Sequence, residues 1–307
     1  MQSAPISRLS VVIPFIVVTM LWGSTWVVIR GQLDNVPLSW SVSYRFVIAG
    51  LAMFALAFMR RQSLWIGWPG IGFAALVGLS QFALNFNLVY RAELHITSGL
   101  VALLFALMII PNSLIGRWLF GEIASAGFVV GSTFATIGVG LLLLQEYRSV
   151  ANNSSDVLIG IGFALGGVSC ATAANLLQAS PRARALPILS TLAWAMILGS
   201  VANVIWAWIT AGPPVFDTRP GYILGMLYLA IAGSVITFPL YFGLIQQIGA
   251  GRAAYTGVAI PVIAMLLSTI VEGYVWSPMA ASGAALAFVG MVVALWTRGS
   301  KAARPSR

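Results

Sequence analysis

The chain has 307 residues, of which 60% are hydrophobic and 7% charged, and its net charge is +9. Soluble domains carry about 25% charged residues, so a water-exposed fold is excluded and a lipid bilayer is the solvent. A single cysteine, Cys170, and a single histidine, His95, exclude an intramolecular disulfide and a Cys/His metal cluster.

The first predicted element is an apolar helix at residues 9–28, following a short tail at 1–8. It contains Pro14 and has no clean small-residue cleavage site, so it reads as a retained span and not a signal peptide. Trp22 and Trp26 are spaced i, i+4 and share a face. The second span, 38–59, starts after Pro37 and holds Arg45 about eight residues in. Arg45 is the only clear charge inside a span, and three roles are open to it. It can snorkel outward, bind helix-end carbonyls or meet a substrate carboxylate.

The third span, 65–89, places Gln81 and Asn85 on one face, with Asn87 directed elsewhere. Glu93 and His95 follow in an outer loop, with His95 a solvated residue at the start of the next helix. The fourth span, 97–114, is interrupted by Pro111, with Asn112 beside it and Glu122 beyond. Proline lacks an amide hydrogen and crowds the carbonyl four residues back, here Leu107. The fifth span, 124–144, ends the first half, and a linker at 149–156 follows.

The sixth span, 157–179, carries Thr172 and Asn175 at i, i+3, with Gln178 near the same face. Gly162 and Gly166 on it read as close-packing positions. The seventh, 187–209, begins at Pro187, and the eighth, 221–244, carries Tyr241. The ninth, 252–270, holds Tyr255 and Pro261, with Glu272 just after it. The tenth, 277–297, leads into a basic tail at 299–307. Trp40, Trp65, Trp68, Trp118, Trp206, Trp208, Trp276 and Trp296 lie near span ends, as a membrane-anchoring aromatic belt does.

The second half repeats the first at an offset of 150. Pro37 answers to Pro187, Gly99 to Gly249, Pro111 to Pro261, Glu122 to Glu272, Val139-Gly140 to Val289-Gly290 and Arg148 to Arg298. The fold class expected is therefore all-α integral membrane, with ten transmembrane helices as two five-helix repeats, 9–148 and 157–298. An odd helix number inverts the second copy in the bilayer, and inverted repeats are a transporter signature. Pro111 and Pro261 each lie eleven residues before a glutamate, about 16 Å along a helix. Both kinks then fall near mid-membrane and read as hinges beside a solute path.

Basic residues orient the chain. With a cytoplasmic N-terminus, the inner segments hold Arg8, Arg60, Arg61, Arg117, Arg182, Arg184, Arg252, Arg298, Lys301, Arg304 and Arg307. The outer ones hold only Arg30, Arg91, Arg148 and Arg219. Both termini are thus expected in the cytoplasm, with the 149–156 linker periplasmic.

Several of these stretches carry a family likeness. They are LWGSTW at 21–26, PLSWSVSYRF at 37–46, Pro111, Glu122, IGVGLLLL at 137–144 and its twin FVGMVVAL at 288–295. With the ten spans and the repeat, the set resembles the drug/metabolite transporter superfamily, EamA type, over almost the whole chain. The resemblance implies a solute carrier of the bacterial inner membrane, often an exporter of amino acids such as aromatic ones.

The residues expected to line a substrate path are Trp22, Trp26, Arg45, Gln81, Asn85, Asn112, Thr172, Asn175, Gln178, Tyr241 and Tyr255. No acid lies deep in any predicted span, which argues against proton-for-cation exchange and favours facilitated movement of a neutral or zwitterionic solute. Amino acids with aromatic or large aliphatic side chains fit. A drug or sugar conjugate is the alternative solute, and a non-transporting receptor or scaffold the alternative class. An enzyme would need a nucleophile with its base, or a metal, and neither is present. No cofactor and no nucleic-acid partner are expected; the bilayer, a small solute and a monomeric state are.

Overall fold

In the computed structural model, residues 8–120, 126–149, 154–248, 253 and 256–296 are described. They form helices throughout, with no strand among them. Helix α1 spans Arg8–Arg30 and α2 spans Leu38–Met59. The third span is composite: α3 (Gly67–Val77), a π-helical stretch (Gly78–Asn85) and α4 (Phe86–His95). Next come α5 (Ser98–Ala106), α6 (Ile109–Phe120) and α7 (Ala126–Ser149). The second half holds α8 (Ser154–Ala179), the one-turn α9 (Pro181–Arg184) and α10 (Ile188–Ala211). Another composite span joins α11 (Pro220–Ala230), a π-helical stretch (Ile231–Ile236) and α12 (Thr237–Ile248). Helices α13 (Thr256–Val271) and α14 (Pro278–Trp296) complete the chain.

Among the described residues, seven segments are long and apolar enough to cross a membrane: Val11–Arg30, Leu38–Met59, Gly67–His95, Ser98–Leu119, Ser155–Ala179, Ile188–Ala211 and Pro220–Gln247. The other three expected spans coincide with shorter apolar helices, Val129–Gln145, Ile260–Val271 and Pro278–Gly290.

Glycines set the closest helix contacts. A Cβ added to Gly138 would fall 2.3 Å from the Ala287 backbone nitrogen, and one on Gly290 2.3 Å from that of Ala135. Helices α7 and α14 therefore touch backbone to backbone, the arrangement small residues allow in lipid. Gly78 and Gly199 do the same between the first π stretch and α10. Gly166 packs on Leu88, but Gly162 has nothing within 4 Å of a Cβ and is no packing site.

Two apolar clusters build the core. One gathers α2, α3, α4, α10 and α12 around Phe46, Phe82, Phe238 and Phe242; the other gathers α5, α7, α8, α13 and α14 around Leu100, Leu104, Leu142 and Met265. Trp26 and Phe105 pack against both, so they stand at the junction.

Three loop expectations change. The third span runs on to His95, because the turn Leu88–His95 has neither proline nor glycine to stop it. Glu93 is then a helical residue with 0% exposure, not a loop residue. His95 ends that helix and is not loosely solvated: its Nδ1 lies 2.6 Å from Asp156 Oδ1 and its ring stacks on Phe163. Trp65, Trp68, Trp118, Trp206, Trp208 and Trp276 are exposed, as anchors would be. Trp40 is buried, and its indole N–H donates to the Gly212 carbonyl at 3.2 Å. Gly212 ends α10 with φ +74°, a left-handed geometry that glycine adopts without strain. Glu122 and most residues of the basic termini lie outside the described residues.

The two prolines differ. The helix breaks between Ala106 and Ile109, and the carbonyl of Leu107, which Pro111 cannot bond, accepts the Ile110 N–H at 2.9 Å. Helix α13 runs unbroken through Pro261. The bond that Pro261 cannot make would go to the carbonyl of Gly257, in the helix's first turn.

Candidate functional site

A cavity with about 850 Å³ of empty space, its mouth included, lies between the two clusters. Helix α1 presents Trp22, Thr25, Trp26 and Ile29 to it, the i, i+3, i+4, i+7 stripe of one helical face. Opposite stand Asn175 of α8, with Phe238 and Tyr241 of α12. Gln81, Asn85 and Phe86 come from the first π stretch and the start of α4, and Arg45 from α2. Phe105, Met108 and Ile109 flank the break before Pro111. Thr256, Gly257 and Ile260 of α13 close that side.

The walls are fixed by polar contacts between distant segments. The Trp22 indole N–H donates to the Gly233 carbonyl at 3.1 Å, and its ring meets Phe238 and Tyr241 edge-on at 5.2 and 4.8 Å. Asn175 Nδ2 donates to the Tyr241 hydroxyl at 3.3 Å and lies 3.5 Å from Met108 Sδ. Trp26 meets Phe105 at 5.3 Å between centroids.

Arg45 is 1% exposed and neither snorkels nor caps a helix. Its Nε donates to Ser234 Oγ at 3.3 Å, and Ser234 donates in turn to the Leu229 carbonyl at 2.9 Å. The guanidinium lies 4.3 Å from the Phe86 ring centroid and 5.1 Å from that of Phe46. Desolvated cation–π contacts of this kind are worth about 2 kcal/mol. Arg45 Nη1, Trp26 Nε1 and Asn85 Oδ1 are buried without a partner.

The structure brings seven of the predicted residues to the cavity: Trp22, Trp26, Arg45, Gln81, Asn85, Asn175 and Tyr241. Asn112, Thr172 and Gln178 are buried at 2% exposure but lie outside its lining. Asn175 turns toward Tyr241, and its i−4 neighbour Ala171, not Thr172, shares the cavity wall with it. Tyr255 lies outside the described residues. Neither Pro111 nor Pro261 lines the cavity; Pro261 borders a separate apolar recess beside Trp276. Asn87 faces away, as its position suggests, and its Nδ2 donates to Asn203 Oδ1 at 2.7 Å.

Phe86, Phe105, Phe238 and Ser234 were not legible as site residues. A π-helical turn advances side chains by a different angle, so a 3.6-residue wheel misplaces Phe86 and Ser234. Thr25 and Ile29 could have been found by extending the Trp22–Trp26 stripe.

Polar contacts join neighbouring segments beyond Ile29, at the Arg30 end of the cavity. The Arg30 guanidinium donates to the Glu93 carbonyl. Glu272 Oε2 accepts the Ser98 N–H at 3.2 Å and the Ser268 hydroxyl at 2.7 Å, tying α5 to the end of α13. Glu93 stands buried beside these contacts, in the last turn of α4 and not deep in the span.

The model of the EamA-like transporter family matches residues 9–144 and again 158–296. The protein PagO of Salmonella typhimurium is 25% identical over 87% of this chain and 86% of its own length. The uncharacterized inner membrane transporter YedA of Escherichia coli is 28% identical, over 83% and 80%. A Salmonella typhimurium protein described as a probable amino-acid metabolite efflux pump is 22% identical over 91% and 92%. A crystal structure superposes with a TM-score of 0.73 on 96% of this chain and 100% of that one, at 19% identity, which supports the fold. With two matches that together take in nearly every helix described above, the chain belongs to the EamA-like transporter family.

Proposed function

We propose that the chain exports zwitterionic amino acids with aromatic or large aliphatic side chains, by alternating access between two oppositely inserted five-helix halves. Its family makes it a membrane transporter of small solutes and not an enzyme. The observation that carries the finer reading is the set of unpartnered groups in residues around the cavity. Arg45 Nη1 and Trp26 Nε1 are donors, and Asn85 Oδ1 is an acceptor. Buried polar atoms are normally satisfied, and a ligand would complete these, although the Arg45 guanidinium also has the Tyr90 hydroxyl beside it. A carboxylate suits Arg45 and Trp26, with Arg45 giving a charge-assisted bond. An ammonium suits Asn85, and an apolar side chain suits the rings of Trp22, Phe238 and Tyr241.

Several observations support two halves at 9–148 and 157–298. The family model matches each separately. Both composite spans carry a π stretch, at 78–85 and 231–236. Corresponding helices pair across the halves, α2 with α10 and α7 with α14. Helix α1 packs on α13, and its counterpart α8 packs on α5 and α6. A site at the repeat interface, reached by rocking one half on the other, is the usual design of such carriers. The break before Pro111 borders the cavity and serves as a hinge; Pro261 is the second hinge. A bacterial inner membrane with both termini cytoplasmic follows from the arginine distribution and from the described location of the YedA relative.

The test is exchange of labelled phenylalanine, tryptophan, leucine and threonine by the purified protein in liposomes. Saturable exchange of at least one is expected. No flux of any, beside flux of a drug or sugar conjugate, overturns the substrate assignment. Cysteine pairs across either mouth should block exchange when crosslinked; unchanged flux overturns alternating access.

A further inference from the structure

We propose that the Glu93 carboxyl, beside Glu272, binds a proton at the Arg30 end of the cavity, and that losing this proton accompanies opening of that mouth. The inference rests on the alternating-access reading above. Glu93 is wholly buried, and neither of its carboxylate oxygens has a hydrogen-bond partner. Arg30 reaches only its backbone carbonyl. Glu272 uses Oε2 to hold Ser98 and Ser268, and its Oε1 has no partner. The neighbouring hydroxyls of Thr97 and Ser98 also lack partners. Such a cluster is incomplete as it stands.

The charges acting on Glu93 are Glu272, Arg30 and Arg45. Arg30 faces it from α1 and Arg45 from α2. Helix α5 carries no titratable residue, and α8 carries Asp156, at 2.6 Å from His95, and the neutral thiol Cys170 about four turns further along. On α4 itself, Tyr90 is buried beside Arg45, and Arg91 is directed to the Trp206 ring. An ionised carboxylate with no donor is costly in a dry interior, and two nearby carboxylates repel. One proton relieves both costs. When the mouth opens, water can solvate both groups; the O–H bond then breaks and the proton passes to that water, with no other bond changed. Retention therefore favours the closed mouth and release the open one.

The experiment reads mouth opening without a substrate. In a Cys170→Ala background, Ala102→Cys places a thiol in the cavity wall near this mouth. A membrane-impermeant thiol reagent is applied to right-side-out and inside-out vesicles between pH 5.5 and 8.5. Rates are normalised to Val215→Cys, an exposed loop control. Labelling from the Arg30 side should rise with pH, by at most about tenfold per unit for one proton. Glu93→Gln should label slowly and without slope, and Glu93→Asp should restore the slope. Unchanged elution on size exclusion checks the fold of each variant. A wild-type slope in Glu93→Gln overturns the proposal. So does a slope that follows sodium against choline at fixed pH, which would put a metal cation in place of the proton. A flat wild-type profile, beside crosslinking that still blocks amino-acid exchange, sinks the proton site and leaves alternating access standing. A pH slope without amino-acid exchange sinks the substrate assignment alone.

Discussion

Trp22 donates its indole N–H to the carbonyl of Gly233 at 3.1 Å, across 211 positions of sequence. This bond ties the first helix to the π stretch of the eighth span, and it forms one wall of the cavity. Thr237 Oγ1 also donates to Gly233 O, at 2.7 Å. Trp22→Phe should therefore cost only about 1 kcal/mol of stability, the net worth of one such bond. Trp22→Ala also removes the ring against Phe238 and Tyr241, and should raise the apparent KM for amino-acid exchange about tenfold. Thermal unfolding in detergent and exchange kinetics check the pair.

Arg45 offers a planar fork held over Phe86. Lysine keeps the charge but loses the fork and the stacking. Arg45→Lys should weaken amino-acid binding about tenfold, equivalent to about 1.4 kcal/mol, and Arg45→Met should weaken it further. Equal affinity for all three forms, measured by competition in liposomes, would assign Arg45 a packing role only.

Asn87 and Asn203 bond side chain to side chain at 2.7 Å, and Asn203 Nδ2 also donates to the Phe82 carbonyl at 2.9 Å, inside the first π stretch. Interhelical bonds of this kind in membranes contribute about 0.6–2 kcal/mol. Asn87→Leu should lower thermal stability by that amount and leave the order of solute preference unchanged. A double-mutant cycle with Asn203→Leu measures the coupling.

Asp217 clasps two loops at the Arg30 end. It accepts the Arg219 Nε at 2.7 Å and backbone N–H at 2.9 Å, and Asn35 Nδ2 at 3.3 Å. The Arg219 side-chain bond, first among these, holds its carboxyl down at about 2 against an ordinary 3.8. The clasp's contribution is therefore full above about pH 4 and lost as pH falls through about 2. The melting difference between wild type and Asp217→Asn should stay constant from pH 7 to pH 4, then shrink on further acidification. A constant difference down to pH 2 would contradict it.

Gly138 lies against the Ala287 backbone. Gly138→Leu must push α7 from α14 and should cost about 1–3 kcal/mol, the usual range for overpacking, read as a lower melting temperature. Gly140, with nothing within 4 Å of an added Cβ, is the matched control, and Gly140→Leu should be nearly silent.

Hydropathy alone determined that the chain is helical and lives in a bilayer, because about 20 apolar residues per crossing and so few charges admit no other solvent. The recurrence of proline, glycine and charge at one offset pointed to two related halves. The Trp22–Trp26 and Gln81–Asn85 faces were readable because helical spacing projects i and i+4 to one side. Tertiary structure decided the rest. Asn112, Thr172 and Gln178 are as polar as Asn175, yet only packing determines which of them meets the cavity. The π stretches shift the register of Phe86 and Ser234, and single-sequence periodicity assumes one period throughout. Glu93 was misplaced because a helix end with no breaker has no local mark. Its isolation from any donor depends on Arg30, Arg45 and Glu272, which come from three separate parts of the chain.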